Sequence, residues 1–437
     1  MKQVMHKLIV MVGVALILIF IQPITALAVF SNAPDVPAES AVLIDAESGQ
    51  VLVDQQGHEV REIASTTKMI VQYITLSKIH AGELDWEEPV NISDYVMDLT
   101  EDPKLANLPL NQEDTFTVRE LFMGMSIASA NAMTVALAEH IAGSEEAFVT
   151  QMRELMTDWG LEDAHLVNAT GLNNEDLQGG PLLNTATDDE NRMSARSLAA
   201  IAQRLVTDFP EILEITALTS YTYRPDSPAE QDVSSYNFML PGFPYAYPGV
   251  KGLKTGTTIN AGGSFVGYLD QEPTPLISVV LHAGDGFMDK FSRFDATAKL
   301  FDYAMADLEY IDVPQVNLHH EELTDYPVAD GTIETVDLEI EGNLPVYLPE
   351  EVADLYEVTY EMDPAAVDKT KQLQPPFVAG ETVGTATVHP TEAGLDYLGD
   401  LPEDYFTFPI VTTEASKQLN IFQRLQRNIS QWWKNLR

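Results

Sequence analysis

Two short apolar runs, Ala41–Asp45 (AVLID) and Gln50–Asp54 (QVLVD), flank the turn residues Ser48-Gly49 and predict a pair of β-strands. From Ile63 to Ile79 the period changes to that of a helix. Met69, Ile70, Tyr73, Ile74 and Leu76 make a broad apolar face there, and Gly82 follows its end. Val118–Ile141 keeps a helical period but is interrupted between Ser126 and Asn131. Phe148–Trp159, Ala195–Leu205 and Phe294–Leu308 predict further helices, and Ser264–Tyr268 and Leu276–His282 further strands. Beyond Asp312, as far as Ile410, short alternating runs such as Thr332–Ile340 and Thr382–Val388 lie between turn residues, which predicts a second, all-β domain.

Both ends carry their own patterns. Lys2 and Lys7 precede an apolar run from Leu8 to Ile21, then Pro23 and Ala26-Leu27-Ala28. That is the order of a secretory signal, with cleavage expected after Ala28; an uncleaved membrane anchor is the other reading. Near the C-terminus Phe422, Leu425, Ile429, Trp432, Trp433 and Leu436 recur at helical steps, with basic residues between them. This predicts an amphipathic helix suited to an anionic membrane surface; a helix packed on its own protein is the alternative. The chain is thus divided into 1–28 (signal), 29–310 (a first, larger domain), 311–412 (all-β domain) and 413–437 (amphipathic helix).

Charge sharpens this division. The 437 residues contain 24 Lys and Arg against 67 Asp and Glu, a net charge of −43. Seven of the basic residues lie in residues 1–28 and 415–437, which hold no acid, so the remainder carries 17 bases against 67 acids, or −50. Such a surface repels a polyanion and excludes nucleic acid as a partner. It suits an anionic bilayer only through the basic C-terminal helix. With no cysteine, disulfides, thiolate nucleophiles and Cys-ligated zinc are excluded. No metal site or cofactor is expected.

Three motifs carry candidate chemistry: Ser65-Thr66-Thr67-Lys68, Ser129-Ala130-Asn131 and Lys254-Thr255-Gly256, in that order. Ser65 and Lys68 stand three residues apart at the start of a predicted helix, so the amine can reach the hydroxyl. A serine needs a base to become a nucleophile, and a lysine serves only when burial or nearby positive charge, such as Lys254, lowers its pKa. Ser129 sits where the helical pattern breaks, which can turn side chains into a cleft. It is preferred over the competing Ser235-Tyr236-Asn237. In this arrangement Ser129 relays a proton to a leaving amine, and Asn131 bonds a substrate amide and steadies Lys68. Lys254 and Thr255 offer cation and hydroxyl to a terminal carboxylate, and Gly256 lets substrate backbone approach closely.

With these three motifs in order, the chain resembles the low-molecular-mass penicillin-binding proteins, the serine-type D-alanyl-D-alanine carboxypeptidases. Ala169-Thr170-Gly171-Leu172, Met193-Ser194-Ala195, Gly249-Val250-Lys251-Gly252 and Arg293-Phe294 ahead of Lys299-Leu300 look like the family too. Asn237 matches a family position, which explains the competing motif. Ala132 departs from it, since an aspartate often follows the asparagine. The resemblance implies an α+β fold, a β-lactamase/transpeptidase-like catalytic domain with an antiparallel sheet, flanking helices and a helical subdomain, trailed by a small β-sandwich and the amphipathic helix. It also implies attack by Ser65 on the bond between two D-alanines of a peptidoglycan stem peptide, release of D-alanine, and hydrolysis of the acyl-enzyme by water activated by Lys68. The backbone N–H groups of Ser65 and Thr257 would hold the oxyanion, and Arg293 would assist with the carboxylate. β-Lactams would acylate the same serine.

Two rivals remain at the level of sequence. A class A β-lactamase needs a glutamate well past the second motif to activate the deacylating water; here that region reads His165-Leu166-Val167-Asn168. A non-catalytic wall-binding scaffold would tolerate loss of the site side chains, and none is missing.

Overall fold

The computed structural model describes residues 32–177, 185–313, 322–349, 356–390, 395–399 and 401–435. The expected signal at 1–28 lies outside the described residues. At the centre is a five-stranded antiparallel sheet. The first pair forms as its alternation predicts: β1 (Ser40–Asp45) against β2 (Val51–Gln55). The other three strands come from far along the chain: β3 (Val250–Thr258), β4 (Gly262–Leu269) and β5 (Leu276–Leu281). Their order is β2-β1-β5-β4-β3, so β3, which carries Lys254, is an edge strand.

Helices cover both faces of the sheet. The region predicted as one helix from Ile63 begins instead as a 3-10 turn, Ala64–Thr67, and becomes α1 at Lys68–His80. Ala64 is in the left-handed region (φ 47°), and this reorients the chain ahead of the helix. α1 is apolar on most sides and buried among its neighbours. The interrupted helical pattern resolves into α2 (Val118–Ala128) and α3 (Asn131–Ala142), with Ser129 left-handed (φ 55°) and Ala130 extended between them. The capping box of Thr117 and Glu120 starts α2. α4 (Glu145–Asp158) is N-capped by Ser144, and α5 (Ala195–Asp208) by Ser194. α6 (Ser292–Asp307) lies on the other face, packing Phe294, Leu300 and Phe301 against Leu43, Phe265 and Val280 of the sheet.

The all-β region starts where α6 ends. Leu308–Asp312 pairs with Pro345–Pro349. A four-stranded sheet runs in the order Leu338–Ile340, Thr407–Thr412, Thr382–Pro390, Tyr356–Met362. Val346 and Leu348 of the smaller sheet pack on Val388 and Phe408 of the larger. The single run predicted at Thr332–Ile340 divides into Thr335–Val336 and Leu338–Ile340, which join different sheets.

Residues 395–399 return to the catalytic sheet. Val51 N–H donates to Asp396 O (2.7 Å) and Leu398 N–H to Gly49 O (2.9 Å). Arg196 adds bonds to Asp54 (2.6 Å) and Asp396 (2.7 and 2.8 Å). The C-terminal helix α7 (Ile421–Asn435) leaves Phe422, Leu425, Trp432 and Trp433 more than half exposed. Its Arg424 pairs with Asp330 of the β region at 2.9 Å.

Candidate active site

The 3-10 turn places Ser65 at its head and delivers Lys68 directly below it, because residues three apart eclipse in that conformation. Lys68 Nζ lies 2.9 Å from Ser65 Oγ. The amine also donates to Asn131 Oδ1 (2.9 Å) and to Thr170 O (2.7 Å). Asn131 is held in this orientation because its Nδ2 donates to Ala106 O (3.1 Å). A neutral amine has two N–H groups and one lone pair. Asn131 and Thr170 accept the two hydrogens, so the lone pair faces the Ser65 hydroxyl.

The neutral state is the one the surroundings favour. Lys68 is wholly buried, and burial is the largest influence lowering its pKa well below the usual amine range; Lys254 lowers it further, while Glu145 opposes them. Ser65 is only half-buried and so is open to a substrate.

A second serine–lysine pair faces the first. The left-handed turn at Ser129 projects its Oγ towards β3, where it accepts from Lys254 Nζ at 2.8 Å. Burial, then the nearby Arg293, brings the Lys254 pKa down to about 7. The competing Ser235 and Asn237 make local bonds instead: Ser235 Oγ accepts from Asn237 N–H (3.1 Å), and Asn237 Nδ2 donates to Gly252 O (3.2 Å).

Two glycines let the walls close on the turn that carries Ser65. A Cβ on Gly256 would lie 2.8 Å from Ile63 O and 3.2 Å from Ala64 Cβ, so β3 rests directly on the Ser65 turn. Gly171 (φ +80°) approaches from the other side, where a Cβ would fall 1.8 Å from Ala64 O. Thr255 and Thr257 remain half-buried along the rim.

Arg293 lies deeper than a residue open to substrate. Its guanidinium donates to Gly256 O (2.7 Å), Thr257 Oγ1 (2.9 Å), Ser264 O (3.2 Å) and Gly286 O (3.0 Å). It therefore reaches the cleft through Thr257 and by stiffening β3. Burial lowers its pKa to about 10, leaving it a cation at neutral pH.

Sequence reasoning did not single out three contributors. The Thr170 carbonyl belongs to a family-like stretch, but nothing in a side-chain motif signals a backbone acceptor. Asn191 ties that stretch to the nucleophile turn: its Nδ2 donates to Thr67 Oγ1 (3.0 Å) and Asn168 O (2.8 Å), and its Oδ1 accepts from Val167 N–H (2.6 Å). Glu190, with a raised pKa caused first by burial, accepts from Thr258 (2.8 Å) and Asn260 (2.9 Å) at the end of β3. Among the described residues no group of His, Cys, Asp or Glu is arranged to hold a metal ion.

A serine beside a buried lysine of lowered pKa, with a facing Ser–Lys pair on an edge strand, is the arrangement of a serine acyl-transferase of the penicillin-binding type. The family model for D-alanyl-D-alanine carboxypeptidase (peptidase family S11) matches residues 28–285, and the chain belongs to this family. It is 27% identical to the D-alanyl-D-alanine carboxypeptidase DacF of Bacillus subtilis over 62% of this chain and 63% of that protein. A crystal structure described as a peptidoglycan synthesis regulatory factor (PBP3), from Streptococcus pneumoniae, is similar with 32% identity and a TM-score of 0.69, covering 87% of this chain and all of that one. The cefotaxime-bound penicillin-binding protein D2 of Listeria monocytogenes is 26% identical with a TM-score of 0.51, over 62% of this chain and 97% of that one. The fold is thus the α+β arrangement expected, and the chain is a serine hydrolase of the carboxypeptidase type.

Proposed function

We propose that the protein removes the terminal D-alanine from peptidoglycan stem peptides through an acyl-enzyme on Ser65. The observation that carries this is the Lys68 amine, held 2.9 Å from Ser65 Oγ with its other contacts on two carbonyl oxygens. Lys68 takes the hydroxyl proton as Ser65 attacks. The backbone N–H groups of Ser65 and Thr257 stabilise the oxyanion. Ser129, bonded to Lys254, relays the proton taken up by Lys68 to the leaving D-alanine amine, which returns Lys68 to its neutral form. Lys254, Thr255 and Thr257 bind the substrate carboxylate, and Asn131 bonds the peptide amide. Water activated by Lys68 then hydrolyses the ester. A β-lactam enters the same sequence as a cyclic amide, as the cefotaxime-bound relative supports.

The direct check is intact-protein mass after incubation with benzylpenicillin, followed by peptide mapping. The expected result is one adduct on the peptide containing Ser65. An unmodified protein, or an adduct on another serine, would contradict the assignment.

The same reading puts the enzyme outside the cytoplasmic membrane, exported by residues 1–28 and resting on the bilayer through residues 413–437. The exposed apolar side of α7 supports this. No helix among the described residues is long and apolar enough to cross a membrane.

A further inference from the structure

One buried carboxyl beneath the site has no part in the chemistry above. Glu145 opens α4 and is 3% exposed. Its Oε1 accepts from Ala169 N–H at 2.9 Å. Its Oε2 has the buried Tyr95 hydroxyl as its hydrogen-bonding neighbour, and no other described group bonds to either atom. Among the described residues no basic side chain forms a salt bridge with it. A carboxyl buried with no cation paired to it costs folding free energy, and such a group calls for an explanation.

Its location supplies one. The residue after Ala169 is Thr170, whose carbonyl accepts from Lys68 Nζ at 2.7 Å. Asn168 Oδ1 accepts from Thr170 N–H (3.0 Å), the Thr170 hydroxyl (2.9 Å) and Gly171 N–H (2.8 Å). The turn that holds the catalytic amine is therefore pinned from within by Asn168 and from α4 by Glu145.

We propose that Glu145 is a positioning residue for Lys68, anchoring the turn whose carbonyl orients the amine and setting through its charge how readily the amine gives up its proton. This rests on reading Lys68 as the base.

The groups around Glu145 are Glu139 from α3, Tyr95 from the helix Asp94–Glu101, and Lys68 from α1; Lys254 and then Arg293 lie beyond Lys68. Burial first, then Glu139, raises the Glu145 pKa to about 7, against the Ala169 N–H, the Tyr95 hydroxyl and the Lys68 charge. As a carboxylate Glu145 favours protonated Lys68; without that charge the amine is freed at lower pH.

The test is the rate of acylation by a chromogenic cephalosporin as a function of pH, for the full chain and its Glu145→Gln and Glu145→Ala variants. Glu145→Gln keeps an oxygen for Ala169 N–H and removes the charge. Its acid limb is expected to move to lower pH. Glu145→Ala loses anchor and charge, and is expected to acylate about tenfold slower, a fraction of the roughly 10²–10⁴-fold that a general base contributes. An acid limb unmoved in Glu145→Gln overturns the proposal whatever the alanine variant does, including failure to fold. A parent protein that is never acylated would overturn the functional reading itself, and is distinguished in the same experiment.

Discussion

Ser65 and Lys68 depend on how little room surrounds them. Gly171 has a backbone conformation that favours glycine and no space for a side chain, with Ala64 O in the way. Gly171→Ala is expected to lose at least about 2 kcal/mol of stability, read from denaturant unfolding, because strain and a backbone clash add. Charge sets the pH profile. Lys68, lowered by burial, reaches its neutral form well below the usual amine range, so acylation rises on the acid side. Lys254, with a pKa brought down to about 7, is a cation below that pH and loses its charge above it. The KM for a peptide with a free C-terminal carboxylate should therefore climb as pH rises through about 7, while a substrate with an amidated terminus should not show this rise. Steady-state kinetics on the two peptides checks the sign.

At the scale of elements, two of the three candidate motifs were legible in the sequence because each falls at an irregularity. The break between Ser126 and Asn131 becomes the left-handed Ser129 that meets Lys254. The start of the apolar period after Ile63 becomes the turn that stacks Ser65 on Lys68. Strand and helix ends moved by a few residues, as at α4, which begins at Glu145 under its Ser144 cap. What the pattern did not reveal depends on long-range backbone contact. Thr170 contributes a carbonyl and Asn191 bridges 67 to 168, while Arg293, which the resemblance did name, spends its donors on backbone carbonyls and the Thr257 hydroxyl. The β region was legible as a composition of short runs, but its register was not, since partners such as Leu338 and Thr412 are far apart in sequence. Asn191→Ala removes the bridge between the nucleophile turn and the Asn168 loop. Leaving buried Val167 N–H without its acceptor is expected to cost about 1–3 kcal/mol, with slower acylation measured in the same preparation.

Across the whole molecule, the two globular regions are joined by more than the chain between α6 and Leu308. Residues 396–398 extend the edge of β2, and Gln50 exchanges two bonds with the Tyr347 backbone, at 2.8 Å each. Arg196 is mostly buried between Asp54 and Asp396. Arg196→Ala is expected to lower the melting temperature or split it into two transitions by calorimetry, leaving acylation by a β-lactam unchanged. The C-terminal helix stands apart from this core. Its Arg424 is engaged with Asp330 while its tryptophans face outward, so the apolar face is free to enter a bilayer. The acidic body would be repelled by anionic lipid, which leaves the helix to supply the attraction. Removing residues 419–437 should abolish sedimentation with phosphatidylglycerol vesicles and spare hydrolysis of a soluble peptide.

The central claim is a Ser65 acyl-enzyme in a D-alanine-releasing hydrolase, and D-alanine release from a peptide ending in Lys-D-Ala-D-Ala tests it most directly. The parent protein should release D-alanine, and Ser65→Ala should be slower by at least about a thousandfold, as expected for loss of a nucleophile. Equal release by both proteins, or none by the parent, would contradict the account.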